Sequence, residues 1–123
     1  PRNNTRGCGA RSPRALMRTV SGTRPESVRA AIGPHIRACC FEVGDDVASR
    51  FRKEHVVERH PRDGKLYVDL SAAAVCQLED SGVAMKNIDV SSMCTVCRRD
   101  LLFSHRASGG TAGRTVAMIM RLR

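Results

Sequence analysis

The residues of this 123-residue chain best suited to chemistry are six cysteines, at positions 8, 39, 40, 76, 94 and 97. Cys39-Cys40 and Cys94-x-x-Cys97 together offer four sulfur ligands, a set that can hold a structural zinc ion. Adjacent cysteines are expected to chelate one metal poorly, because such sites normally use two C-x-x-C pairs. Buried apolar thiols, or thiols that line a pocket, are therefore the favoured interpretation. No apolar export segment is visible, so reduced thiols rather than disulfides are expected.

The four histidines do not form a metal-binding motif in the sequence. His55 and His60 lie in a charged stretch and are expected to be solvent-exposed, whereas His35 and His105 are expected to be structural. A thiol nucleophile paired with His35 is conceivable, but such partners meet in space and spacing alone does not support it. The glycine-rich residues 109–113 with Arg114 fit either an anion-binding loop or a hairpin turn.

The charge balance suggests nucleic acid as a partner, but its distribution argues against it. Lys and Arg number 21 against 12 Asp and Glu, a net charge of +9. The arginines are scattered singly along the chain, and aromatic residues do not interleave them as stacking platforms. Binding to nucleic acid is therefore not expected. No segment is apolar and long enough to cross a membrane, and a cytoplasmic location is expected.

Local patterns predict alternating helices and strands that would position these side chains. Helices are predicted at 12–22, from Gly44 onward, and from Ser71, as the cap, to Gly82. Strands are predicted at 28–32, 66–70, 88–93, 101–103 and 116–122. Residues 39–43 are predicted to form either a strand or a tight buried segment. Residues 1–11 are expected to be a loop or a truncated edge, and 12–123 the domain. The fold class is therefore α+β, with a mixed sheet and about three helices.

Three segments resemble, in order, motifs of the YfiH/laccase-domain family. Residues 32–44, I-G-P-H-I-R-A-C-C-F-E-V-G, resemble its G-P-x-I-x-x-C-C-[YF]-E-V-G segment. Asp69-Leu70 resembles its D-L turn. Residues 94–97, 102–106 and 110–114 resemble its C-T-x-C, F-F-S-[YH]-R and G-T-G-R ending, with Ala112 as an extra residue. The agreement extends over residues 28–122.

The resemblance implies an enzyme that was once named a polyphenol oxidase. Its implied activity is phosphorolysis of adenosine, inosine, guanosine and methylthioadenosine, with adenosine deamination as a side activity. The family holds zinc, or copper in an older assignment, through two histidines and one cysteine. One histidine and the cysteine lie upstream of the matched segments, and the other histidine begins an H-A-G-W-R-G motif. Thr5-Arg6-Gly7 resembles the tail of that motif, but Arg2, Asn3 and Asn4 precede it.

The resemblance therefore predicts the C-terminal half of a family domain that is inactive alone. No catalytic residue and no metal ligand is assigned to it, and zinc or copper is not expected to be held by this chain alone. Its expected partners are a purine nucleoside, phosphate and the missing N-terminal half. The expected substrate-binding residues are Cys40, Glu42, Arg106 and Arg114. Two alternatives stay open: a catalytically inactive binding or structural relative, and a small zinc-binding protein with four cysteine ligands.

Overall fold

The structure, a computed structural model, describes residues 24–57 and 65–116. These residues form two α-helices and five strands: β1 (Ala30–Ile32), β2 (Glu42–Val43), α1 (Asp45–Ala48), β3 (Val56–Val57), β4 (Leu66–Val68), α2 (Leu70–Asp80) and β5 (Ile88–Val90). Short 3-10 turns precede β1, β3 and β5. Strands and helices interleave, so the α+β class predicted from the sequence is confirmed, and none of the described helices is long and apolar enough to cross a membrane.

Strand β4 is the centre of a three-stranded antiparallel sheet in the order β2-β4-β3. Successive side chains of a strand point to opposite faces, yet both Tyr67 and Val68 are buried, and Val68 is fully so. Both faces of β4 are therefore covered. The Val68 N–H also donates to the Phe41 carbonyl oxygen at 3.1 Å, so β4 fixes the chain just before β2.

Strands β1 and β5 form a separate parallel pair, with Ala30 opposite Ile88 and Ile32 opposite Val90. The pairing continues past both strand ends, because the Thr95 N–H donates to the His35 carbonyl oxygen at 3.1 Å and His35 forms a bridge with Cys94. Parallel strands begin and end at the same edges of a sheet. The segments after β1 and after β5 consequently run side by side, and each carries a pair of cysteines.

Helix α2 begins with Asp69 as its N-cap. One Asp69 carboxylate oxygen accepts hydrogen bonds from the Ala72 N–H at 2.9 Å and from the Ser71 hydroxyl at 2.6 Å. The sequence prediction that Ser71 caps this helix was wrong by two residues. Aspartate and serine are equally good caps, and Ser71 lies within the first turn instead.

Replacing Asp69 by alanine should lower the free energy of unfolding by about 1 kcal/mol, the usual value of an N-cap. Partial burial raises the pKa of the Asp69 carboxyl, but hydrogen bonds from Ser71 and the Ala72 N–H, and the charge of Arg37, lower it by more. The net pKa lies below its ordinary value of about 3.9. Its stabilisation is therefore complete above that pH and is lost as the pH falls through the lower folded-state value.

The matched control is Asp69→Asn, since asparagine caps a helix as well as aspartate but does not titrate. Urea unfolding at pH 7 should give nearly wild-type stability for this variant and reduced stability for Asp69→Ala. Between pH 5 and pH 3 the wild type should lose stability relative to Asp69→Asn, on the scale expected for acidic titration of a carboxyl group. Parallel curves for the two proteins would show that the carboxylate does not carry this effect.

Several sequence predictions differ from the structure or fall outside it. Residues 101–103 form a turn rather than a strand, and α1 is only four residues long. The predicted helix at 12–22 lies outside the described residues, as do His60 and all but the first residue of the strand predicted at 116–122. In the described ranges there are two α-helices rather than about three. His55 is buried, not exposed, because its carbonyl oxygen accepts the Asp69 N–H at 2.9 Å and holds it against the start of α2.

The apolar core of the described residues is small. Few of the buried hydrophobic residues have large side chains. The full set among the described residues is Ala48, Tyr67, Val68, Ala73, Val83 and Cys94. Several large apolar side chains are exposed instead, among them Leu101 and Phe103 at 66% and 58%. A fold with so little buried apolar surface has a narrow stability margin.

Candidate functional site

Four cysteine side chains converge at the shared end of the parallel pair. The Sγ atoms of Cys39, Cys40, Cys94 and Cys97 all lie within 4.8 Å of one another. The Cys97 Sγ is 3.7 Å from that of Cys39 and 3.5 Å from that of Cys40. These four residues are called the thiol cluster below. It is the one group of three or more possible metal-binding side chains in the two described ranges.

The adjacent pair joins the cluster because it lies in a turn. The N–H groups of Cys40 and Phe41 both donate to the Arg37 carbonyl oxygen at 2.9 Å. In a strand, one of the two forms predicted for residues 39–43, successive side chains would point to opposite faces. The turn instead lets both sulfur atoms reach Cys97. Adjacent cysteines are expected to chelate one metal poorly, but here the turn brings both sulfur atoms within reach of Cys97.

The second pair lies in the turn that follows β5, and its first cysteine is the buried one. Burial raises the pKa of the Cys94 thiol, but the backbone N–H groups of Arg37, Cys97 and Val96 lower it by more, to about 6. The N–H dipoles stabilise negative charge on this sulfur. Cys94 is therefore the member of the cluster that most readily becomes a thiolate.

In the other cysteine pair, Cys39 and Cys40, the pKa of each thiol is raised rather than lowered. Burial raises the pKa of the Cys40 thiol, and hydrogen bonds with neighbouring thiols raise it further. Burial raises the pKa of Cys39 as well. Several thiolates in contact repel one another, which favours the protonated form of Cys39 and Cys40. The cluster is a poor site for a free nucleophile at Cys40.

Arg106 links the third motif of the family resemblance to the first. Its guanidinium lies over the Phe41 ring, 5.6 Å from the centroid, and Nη1 donates to the Glu42 carbonyl oxygen at 3.1 Å. The Glu42 carboxylate itself is paired with Lys65 at 2.8 Å. Of the four predicted substrate-binding residues, the structure thus brings Cys40, Glu42 and Arg106 into one neighbourhood.

The glycine-rich loop contributes Ala112 to a cleft of about 250 Å³ that Phe103 and Ser104 also line. Arg114 is exposed, and within the described part of the chain no hydrogen bond or ion pair joins its side chain to Cys40, Glu42 or Arg106. The structure therefore does not group Arg114 with the other three.

Two residues of the site region were not singled out from the sequence. Arg37 and Asp69 line a second cleft of about 260 Å³ beside Cys39, and Arg37 Nη1 donates to the Ser92 carbonyl oxygen at 2.8 Å. This hydrogen bond ties the turn after β1 to the segment after β5. The only signal in the sequence was that both residues lie within the segments that carry the family resemblance.

The described histidines do not build the family's metal site of two histidines and one cysteine. His35 Nδ1 contacts the Gly33 carbonyl oxygen at 2.9 Å, and its buried Nε2 has no hydrogen-bond partner among the described residues. No pair of histidines meets a cysteine in these ranges. The zinc or copper implied by the resemblance to the family therefore finds no matching ligand set here.

Comparison with solved structures places the fold. The crystal structure of YlmD from Geobacillus stearothermophilus superposes with a TM-score of 0.71 at 36% identity, over 81% of this chain and 39% of that one. The Bacillus licheniformis hypothetical protein YfiH superposes with a TM-score of 0.70 at 31% identity, over 79% of this chain and 38% of that one. The described residues thus form part of an α+β domain of the YfiH type.

Comparison of the sequence gives the family. Residues 10–122 match the family described as multi-copper polyphenol oxidoreductase laccase. The chain belongs to this family, as the three motif segments predicted. It is 37% identical to adenosine deaminase RL5 from an unknown prokaryotic organism, over 94% of this chain and 47% of that protein. It is 38% identical to purine nucleoside phosphorylase YlmD from Geobacillus stearothermophilus, over 86% of this chain and 40% of that protein.

The chain thus spans less than half the length of the curated relatives it matches. The activities that their names describe belong to longer proteins.

Proposed function

We propose that this chain supplies the C-terminal part of a purine nucleoside phosphorylase. The observation that carries the proposal is that the three family segments meet in space. Asp69 of the second segment lines one cleft with Arg37 and Cys39 of the first. Cys97 of the third segment lies 3.5 Å from Cys40 of the first, measured between the sulfur atoms. Arg106 joins the first to the third through its hydrogen bond to Glu42. One relative named purine nucleoside phosphorylase is 39% identical over 80% of this chain and 38% of its own length.

In phosphorolysis, a phosphate oxygen forms a bond to the ribose C1′ while the bond from C1′ to the purine nitrogen breaks. The purine leaves with a proton, and ribose 1-phosphate is the other product. An arginine suits the phosphate because its planar guanidinium donates two parallel hydrogen bonds to neighbouring oxygens. We assign this contact to Arg106, with Arg114 as a second cation and Cys40 and Glu42 as pocket wall. The family's metal has no ligand set among the described residues, and no step is assigned to it here.

The missing N-terminal half of the domain is the proposed partner of this chain. Leu101 and Phe103 are more than half exposed and belong to the same segment as Arg106. Exposed apolar surface next to a polar site is typical of an interaction surface. We assign it to contact with the N-terminal half, which would also close the pocket and bring the remaining catalytic groups.

The test is to join residues 1–123 to the N-terminal part of Geobacillus stearothermophilus YlmD, in place of the segment they match. With adenosine and inorganic phosphate, the hybrid should release adenine and ribose 1-phosphate, detected by liquid chromatography. The isolated chain should show no turnover. Turnover by the isolated chain, or a hybrid that is folded by circular dichroism and inactive with adenosine, inosine and guanosine, would contradict the proposal.

Adenosine deamination is the second candidate, because one relative of 37% identity is named an adenosine deaminase. There water replaces the purine amino group, and ammonia and inosine are released. The same hybrid distinguishes the two reactions. Deamination does not need phosphate, whereas adenine appears only when phosphate is supplied.

Replacing Arg106 by alanine in the hybrid should lower kcat/KM for phosphorolysis about tenfold, the scale of one lost hydrogen bond to a charged group. The loss should appear mainly as a raised KM for phosphate. Arg106→Lys keeps the charge without the planar fork and should recover part of the activity. Arg50→Ala removes an exposed arginine after α1 and should leave kcat/KM unchanged. Equal losses at positions 50 and 106 would point to net charge rather than a specific contact.

A further inference from the structure

We propose that the thiol cluster is a structural zinc site, with Cys39, Cys40, Cys94 and Cys97 as its four ligands. The proposal is argued from the geometry of the cluster and not from the nucleoside chemistry above, although Cys40 also belongs to the pocket wall assigned there. It concerns a different set of residues from the two histidines and one cysteine that hold the family's metal.

The sulfur positions match a tetrahedron of zinc–thiolate bonds. Bonds of about 2.3 Å place the sulfur atoms about 3.8 Å apart. The two closest separations in the cluster are 3.7 Å and 3.5 Å, and all four atoms lie within 4.8 Å. A disulfide needs about 2.05 Å, so the geometry is that of four separate sulfur ligands. Small movements would complete the tetrahedron.

The ligands come from two distant parts of the chain that the fold has already brought together. Cys39 and Cys40 follow β1, and Cys94 and Cys97 follow β5. The hydrogen bond from Thr95 to His35 and that from Arg37 to Ser92 hold the two segments in register. The backbone pairing itself therefore places the four ligands together.

The surroundings of Cys94 favour a bound thiolate. Three backbone N–H groups are directed at its sulfur, those of Arg37, Val96 and Cys97. Such hydrogen bonds stabilise and orient a metal-bound thiolate from outside the coordination sphere. A bound cation would also offset the mutual repulsion of the four thiol groups in their ionised form. The protons of the thiols pass to solvent as the zinc–sulfur bonds form.

Four sulfur ligands in a tetrahedron favour zinc over the oxygen-seeking cations. They also fill its coordination shell, so no position is left open for water or substrate. The role is therefore structural: the ion cross-links the segments after β1 and β5. Such a link adds most where the core is small, as it is among the described residues.

The test begins with the 123-residue chain, purified under reducing conditions and supplied with zinc. After gel filtration, mass spectrometry should find about one zinc per chain and little iron. Cys39→Ser and Cys97→Ser should each lose most of the zinc. Cys76→Ser is the matched control, because Cys76 lies outside the cluster and receives a hydrogen bond from Arg52, which a serine oxygen can also accept. It should retain the full zinc content.

Two measurements on the unmodified protein keep the proposal testable if the serine variants do not fold. Cobalt in place of zinc should give the intense sulfur-to-metal absorption and visible bands of tetrahedral thiolate coordination. Zinc should also protect four of the six thiols from alkylation, mapped by peptide mass spectrometry to positions 39, 40, 94 and 97. Chelation should expose them and lower the melting temperature.

Three results would overturn the assignment. The first is a folded protein that retains no zinc and gives no cobalt–thiolate absorption. The second is equal zinc content in Cys76→Ser and Cys97→Ser. The third is a purified protein in which iron rather than zinc is the main bound metal. A stable disulfide between Cys40 and Cys97 in the protein as isolated under reducing conditions would also contradict the assignment. That disulfide would indicate a redox pair in place of a metal site.

Discussion

Replacing Val68 by alanine should lower the free energy of unfolding by about 2 kcal/mol, a large share of the stability of a small domain. Val68 is the one large side chain that is completely buried in the described residues. The change removes two carbon atoms from the middle of a three-stranded sheet, and the neighbours fill the resulting cavity only in part. The urea midpoint should fall with little change in the slope.

The neighbouring strand offers the control. Val57 on β3 has the same side chain, lies in the same sheet next to β4 and is 40% exposed. Val57→Ala should change the free energy of unfolding by less than about 0.5 kcal/mol. Similar losses for both variants would show that strand propensity, rather than burial, determines the effect. The Val68 N–H donates to the Phe41 carbonyl oxygen, and the Arg106 guanidinium lies over the Phe41 ring. A shift of β4 around the cavity at position 68 should therefore also lower the activity of the hybrid.

The local elements of the fold could be predicted from the sequence. Alternation of apolar and polar residues indicated β4, and the glycine after a run of helix formers indicated the end of α2 at Gly82. Both hold in the structure. These signals lie within a few residues of the elements they define, so they do not depend on how the chain is assembled.

The thiol cluster could not be predicted in the same way. It depends on the parallel pairing of β1 with β5, which lie more than 50 residues apart. It also depends on a turn at Cys39-Cys40 where the apolar pattern predicted a strand or a tight buried segment. Neither the pairing nor the turn can be predicted from the residues close to it in the sequence. The burial of His55 also depends on a distant contact. His55 belongs to a charged stretch that the sequence predicts to be exposed, but its carbonyl oxygen accepts a hydrogen bond from the Asp69 N–H.

The turn at residues 101–103 shows a further limit of apolar patterns. A short apolar run is equally consistent with a strand and with a surface segment that packs against another part of the protein. Here the N–H groups of Leu101 and Leu102 both donate to the Arg98 carbonyl oxygen, and Leu101 is 66% exposed. The strand prediction was therefore wrong, and we assign this exposed run to contact with the N-terminal half of the domain.

Replacing Gly82 by alanine should lower the free energy of unfolding by about 2 to 3 kcal/mol, which is more than the loss expected for Val68→Ala. Gly82 ends α2 with a φ of +96°, a conformation that residues with a Cβ atom adopt only under strain. The new Cβ would also lie 2.9 Å from the Pro25 Cβ. Relief of that contact requires movement of the turn that leads into β1, and β1 positions the first pair of cysteines.

Gly33→Ala is the matched control, because a Cβ at this position meets no atom within 4 Å and Gly33 is not among the described glycines with positive φ. Its stability should be unchanged or slightly higher, since alanine restricts the unfolded chain. Urea unfolding of both variants measures the difference directly. A zinc-loaded Gly82→Ala protein should regain part of its loss, because the ion holds the segments after β1 and β5 together while the turn before β1 is displaced. Equal losses with and without zinc would mean that the displacement at Pro25 does not reach the thiol cluster.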